Sequence, residues 1–416
     1  MKKENLKEKF NPMQYVSRKR NKLLIIAISV MTVVALLYLF ASPKVYERAL
    51  PKLSNAYIVL REENEKTAFN KSRTAVIGEN IIMFAVIEGK ELFLKETTFF
   101  SQIKDIVIDD NKLPDNRVEK WDRFWKELKV GWIKIEPLFP CFNGKGETDL
   151  SFIKYKYRWR FDGLYYWALP ADAKPVSIIE YEVEQVRTKH RKAFTDPRKY
   201  PGTMYFRIYA YIHSDDDTMN PLREAKSPGV ETAGPMGLSQ KVIRVTFIED
   251  KSFRGLCTGY FNVPYVEGNE ELVLKTNATE HFIAVSNRSY IFESAIQAGF
   301  NLDEKSARGL REACEVVYKD LYLASSNYIY PFGKAGEMLP FGKNGVRSGD
   351  IIVWGAERNM AVLYSDGGLD AKVDSHFDGT DVVIAAGKDG VGKDYLANIV
   401  DDKFEVWRLT KKKVND

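Results

Sequence analysis

Cysteine is scarce in this chain: its 416 residues include three, Cys141, Cys257 and Cys314. They lie far apart, which excludes a dense disulfide framework. One bridge with one free thiol, and three buried reduced thiols, are both open. No CxxC or Cys/His spacing offers a zinc site, and the sequence points to no cofactor. An excess of one charge is also missing from most of the chain. The first 22 residues hold eight basic and two acidic side chains, so the net +5 leaves about −1 for everything that follows. That excludes a broad basic face for nucleic acid. There are no internal repeats and no low-complexity tracts. Only one apolar run approaches the length that crosses a bilayer.

That run is Leu23–Ala41, "LLIIAISVMTVVALLYLFA". At ~1.5 Å per residue it approaches the ~30 Å hydrocarbon layer. Tyr38 and Phe40 sit at its outer end, and the basic residues before it orient the N-terminus inward. "LFA" lacks the small-x-small pattern of a cleavage site. The expectation is a cytoplasmic tail over 1–22, one transmembrane helix over 23–41, and a stalk over 42–55. The membrane is then one partner, met through a single span.

From residue 56 the pattern changes to strands. "AYIVLRE", "ENIIMFAVIEGKELFLKE", "QIKDIVID", "KVGWIKIEPLF", "LSFIKYKYRWRF", "TMYFRIYAYIH" and "QKVIRVTFIED" follow one another, with a turn expected at Glu88-Gly89-Lys90. Partial period-2 alternation, as in Phe152, Tyr155, Tyr157 and Trp159 against Lys154, Lys156 and Arg158, gives each strand one wet and one buried face. About seven strands over 56–250 predict a β-sandwich region, either one immunoglobulin-like sandwich or two small sandwiches. "VEKWDRFWKELK" is a helical insertion.

Near Lys251 the character changes again. "EHFIAVSNRSYIFESAIQAGF" has helical spacing and a stop at Gly299. "LDEKSARGLREACEVVYKDLYLA" reads as a second helix with Asp303 and Glu304 in its first turn. The hairpin "GDIIVWGAERNMAVLY", then "TDVVIAAG" and "FEVWRL", close the chain. Helices first and strands after predict an α+β domain over 251–416.

Three of these segments resemble the NlpC-like branch of the papain-like cysteine peptidases. "GYFNVPYVEG" resembles the lead-in to the nucleophile helix, "HFIAVSNRSYIFESAIQAGF" that helix, and "GDIIVW…NMAVLY" the hairpin of the base histidine. Carried over by residue, the nucleophile position falls on Asn287, after Ser286 where the family has Asp. The base falls on Asn359 and the third polar group on Ala385. All three reactive groups are absent. Acyl transfer by this route needs a thiolate, a base to make it and a group to orient the base. An amide is neither nucleophile nor proton acceptor near pH 7. The resemblance therefore implies no catalytic residue: a pseudoenzyme whose groove, at Tyr265, Ser286, Asn287 and Asn359, holds a peptide or glycan ligand without cutting it. With the anchor it implies a scaffold or binding component among other envelope proteins, as in a motility or secretion complex. The expected location is the bacterial inner membrane, with the bulk of the chain periplasmic or extracellular.

Three other motifs offer alternative chemistry. A rearranged cysteine hydrolase would pair Cys257 or Cys314 with His281 or His376, but none holds an expected position and buried cysteines are commonly structural. Gly387, Gly392 and Lys393 match the GxxxxGK spacing, yet Asp394 replaces the magnesium-binding hydroxyl. A surface loop is the simpler account. Asp215-Asp216-Asp217 lacks the twelve-residue calcium loop and reads as a solvated turn. No metal is expected.

Overall fold

The computed structural model describes residues 26, 28–36, 52–62, 65, 67–79, 81–90, 98–100, 107–108, 111–112, 128–159, 201–212, 223–230, 237–324, 327–332, 337–355, 359–367, 373–400 and 403–410. The fold is mostly β with a few short helices, which corrects the α+β expectation. The transmembrane helix expected over 23–41 is corrected too. The helical residues described there are Ile26 and residues 28–36. Among the described residues no helix is long and apolar enough to cross a membrane.

Strand β1 (Lys52–Glu62) takes in the end of the expected stalk. It is followed by β2 (Arg73–Val76) and β3 (Ile81–Lys90). β1 and β3 pair antiparallel from Glu62↔Ile81 to Lys52↔Lys90. The expected turn at Glu88-Gly89-Lys90 is therefore strand, because the partner continues to Lys52 and holds Gly89 opposite Leu53. Next come β4 (Leu128–Pro137), β5 (Cys141–Asn143), β6 (Tyr155–Trp159), β7 (Gly202–Ile212), β8 (Arg223–Lys226) and β9 (Ile243–Ile248). One sheet has the order β6-β4-β7-β9-β2, with β8 also on β7. β9 and β2 run parallel, as do Thr67–Ala68 and Val107–Ile108. These separate sheets with parallel pairs are not the two antiparallel sheets of an immunoglobulin-like sandwich. Alternation records which face of a strand is buried, not its partner or direction. Residues 118–127 of the expected helical insertion, and Asp215-Asp216-Asp217, lie outside the described residues.

The C-terminal part opens with α1 (Phe253–Thr258), β10 (Tyr265–Glu267), α2 (Glu270–Lys275), α3 (Ser289–Gln297) and α4 (Ala307–Glu312). β11 (Cys314–Leu323), β12 (Ile329–Pro331), β13 (Ile351–Trp354), β14 (Asn359–Ser365), β15 (Val382–Gly387) and β16 (Gly390–Tyr395) follow, then α5 (Leu396–Ile399) and β17 (Phe404–Leu409). A seven-stranded sheet has the order β12-β11-β17-β13-β14-β15-β16. The expected second helix ends at Glu312. Its remainder, "CEVVYKDLYL", is β11, paired with β17 from Cys314↔Leu409. Val316 and Val317 are stiff at χ1 and favour the strand. The first expected helix is confined to α3, since Val285 is held by Tyr265 and Pro264. Gly299, at φ +85°, ends it with its N–H on the Ile296 carbonyl.

One face of this sheet packs α1 and α3: Cys257, Tyr290, Ile291 and Phe292 meet Ile351, Val353, Met360, Val362 and Trp407. The other face gathers Ile352, Ala361, Leu363, Phe377, Leu396 and Phe404. Fully burying each large side chain contributes about 1.5–3 kcal/mol. The two halves of the chain are joined by β10 and β5, a parallel pair running Tyr265↔Cys141 to Glu267↔Asn143.

Beside β15, the Asp381 carboxylate accepts the Gly367 N–H at 2.9 Å and the Asp378 N–H at 3.1 Å. Burial pushes its pKa up to about 8, against those two bonds and with help from Asp378 and Asp366. The ordinary value is about 3.9. The folded state therefore holds this proton where the unfolded chain releases it. Its contribution is full below pH ~4 and is lost as pH rises to about 8. We expect urea unfolding to show a decline of about 1–3 kcal/mol between pH 5 and 8, and Asp381→Asn to remove most of that slope. Equal slopes in the two proteins would refute the assignment.

Candidate functional site

The site begins at the entry to α3. Arg288 precedes this helix and caps nothing with its side chain. Two serines brace the entry instead: the Ser286 N–H donates to Ser289 Oγ at 2.8 Å, and the Ser289 N–H donates to Ser286 Oγ at 3.1 Å. Thr279 Oγ1 lies 2.8 Å from Ser289 Oγ. The Ser286 hydroxyl donates to Glu270 Oε1 at 3.1 Å, and Arg288 Nε lies 3.1 and 3.0 Å from the two Glu270 oxygens, with a further contact from Nη2. Glu270 stands in the first turn of α2, whose Asn269 cap accepts the Leu272 N–H. Both neighbours of Asn287 are thus fixed.

Asn359 arrives from the sheet as the first residue of β14, paired with Trp354. Gly355 turns the chain after β13 at φ +61°, and a Cβ there would lie 3.1 Å from Asn359 Nδ2. Such φ values suit glycine. Across the gap Asn287 Nδ2 donates to Asn359 Oδ1 at 2.6 Å. Both residues are half-buried. Their remaining amide atoms, Asn287 Oδ1 and Asn359 Nδ2, have no partner among the described residues.

The other positions named from the sequence fall differently. Tyr265 pairs with Cys141 and bridges to Val285, two residues before Asn287, which places it beside the site. Burial, then Glu267, pushes its phenol up to about 12. Ser286 is buried with its hydroxyl spent on Glu270 and Ser289, so it braces the site. Ala385 pairs with Gly392 and packs against the sheet face opposite α3. It is not brought to the asparagine pair. Glu270, Arg288 and Thr279 were not singled out in the sequence. Only the adjacency of Arg288 to Asn287 could have drawn attention to one of them.

The thiols are poorly suited to nucleophilic work. Cys257 is fully buried, and burial pushes it up to about 12; Cys314 rises to about 12 for the same reason. Burial and then Glu267 also raise Cys141. All three are free. His281 is exposed while Cys257 is buried, and His376 faces Asp374 at 3.7 Å. The GxxxxGK segment forms the antiparallel β15–β16 hairpin. Its Lys393 is bound to Glu249 at 3.1 Å and lies over the Tyr364 ring, so it cradles no phosphate. Among the described residues no group of three His, Cys, Asp or Glu side chains is placed to hold a metal.

Compared with known proteins, the chain matches no family model, and neither the curated proteins nor the solved structures contain a significant match.

Proposed function

We propose that the chain is a non-catalytic binding protein whose C-terminal half keeps a peptidase-like cleft without its chemistry. Asn287 and Asn359 would hold a secondary amide of a peptide or glycan ligand. One observation carries this reading: the 2.6 Å bond between the two side chains leaves one carbonyl oxygen and one NH2 group unspent on the same pair. A ligand amide offers the complementary N–H and C=O. Satisfying both removes the cost of leaving polar groups half-paired in a half-buried site. The resemblance to NlpC-like peptidases supports it, because the two positions that face each other are those where that family carries thiol and imidazole. An amide pair offers neither nucleophile nor base.

Retention of the full chain on peptidoglycan fragments, which carry both peptide and N-acetyl amides, tests the proposal. Wild type should be retained. Asn287→Trp should weaken retention about tenfold or more, since losing both amide bonds costs about 1–3 kcal/mol, while the circular dichroism spectrum stays unchanged. Undiminished retention by Asn287→Trp would overturn the amide site. Cleavage of the fragments by wild type would restore the rearranged-hydrolase reading.

A further inference from the structure

Arg244 leaves β9 opposite Tyr205. Its guanidinium carbon lies 4.2 Å from the centre of the Phe282 ring. Phe282 stacks in turn on Tyr260, with ring centres 4.4 Å apart and planes 7° from parallel. Phe282 is buried and held at φ +54°. Arg244 Nε is buried and meets no acceptor. Among the described residues no carboxylate pairs with this side chain and no acceptor bonds to it. The nearest titratable groups are Tyr205 and Tyr260, and burial pushes both phenols far up, so they bring no negative charge at neutral pH.

A buried charge without a counter-charge is costly, and such groups are ordinarily paired. The contact with the Phe282 face offsets part of that cost but gives the N–H groups no acceptor. The residue as a whole is only partly buried, and of its guanidinium nitrogens only Nε is fully buried without a partner. Ser72 Oγ accepts the Arg244 backbone N–H at 3.0 Å. Lys71, next in the chain, is exposed.

We propose that Arg244 binds an oxyanion of carboxylate or phosphate type. The planar fork of N–H groups matches two oxygens of either group, and the aromatic stack behind it fixes the plane of the guanidinium. This site uses different residues from the asparagine pair, so it stands or falls separately.

The test is a titration of the full chain with inorganic phosphate and, separately, with acetate. Ionic strength is held constant with chloride, and melting temperature is followed with the arginine Nε–Hε resonance. Wild type should show a saturable rise in melting temperature with at least one anion. A response to phosphate alone identifies a phosphate-type ligand, and one to acetate a carboxylate. Arg244→Met should weaken that response about tenfold or more, and Arg244→Lys should recover part of it. Equal responses in wild type and Arg244→Met would overturn the site. If Arg244→Met fails to fold, the wild-type resonance decides: a saturable shift supports the proposal and an unmoved one refutes it.

Discussion

Arg408→Ala is expected to destabilise the protein by about 3–5 kcal/mol, as breaking a buried ion pair from one side does. Asp350 is 1% exposed. Its carboxylate accepts Arg408 Nε at 2.8 Å, Arg408 Nη2 at 2.7 Å and the Arg347 N–H at 2.9 Å. Arg408 Nη2 also reaches the Gly345 carbonyl at 2.8 Å. Removing the guanidinium strands a charge in the interior and orphans that carbonyl. Arg408→Lys should restore little, because an ammonium cannot make the two-pronged contact. Asp350→Asn in the Arg408→Met background should recover much of the loss, because the stranded charge is then gone. Chemical denaturation of wild type, the three Arg408 variants and the double variant measures these differences. A loss below about 1 kcal/mol in Arg408→Ala would mean that the pair behaves as a surface ion pair. The consequence reaches the site, since Asp350 opens β13 and β13 leads through Gly355 to Asn359.

Much of the strand content was legible because alternation is local. β4, β7 and β9 coincide with "KVGWIKIEP", "TMYFRIYAYI" and "IRVTFI". The hairpin of β13 and β14 was legible because two apolar runs flank a short polar connection. What failed was read from composition without a partner. "EVVYKDLYL" passes for a helix until β17 is there to pair with it. Gly89 passes for a turn until β1 extends past it. The apolar run over 23–41 met the length rule, yet among the described residues no helix is long and apolar enough to cross a bilayer.

The site divides in the same way. Asn287 and Asn359 are 72 positions apart, and only an expectation about architecture set them against each other; their side chains lie 2.6 Å apart. Glu270 and Ser289, which complete the brace with Ser286 and Arg288, left no local signal, because each is an ordinary polar residue until the fold assembles it. Ala385 came from the family resemblance alone. Odd and even residues of its strand serve opposite faces, and Ile384 and Ala386, rather than Ala385, pack on the α3 side.

The reactivity of Asn287→Cys combined with Asn359→His tests the central geometry most directly. In a cleft where these two positions face each other at the start of α3, the imidazole and the helix N-terminus both favour a thiolate. The native thiols form a quiet background, because burial raises all three. Iodoacetamide alkylation at pH 6.5 should run about tenfold faster in the double variant than in Asn287→Cys alone, after allowing for the lower nucleophilicity of a more acidic thiol. The pH of half-maximal rate should fall from about 8.5 to about 7 or below. Identical rates and identical pH profiles in the two proteins would contradict the account, because the side chains at 287 and 359 would then not meet.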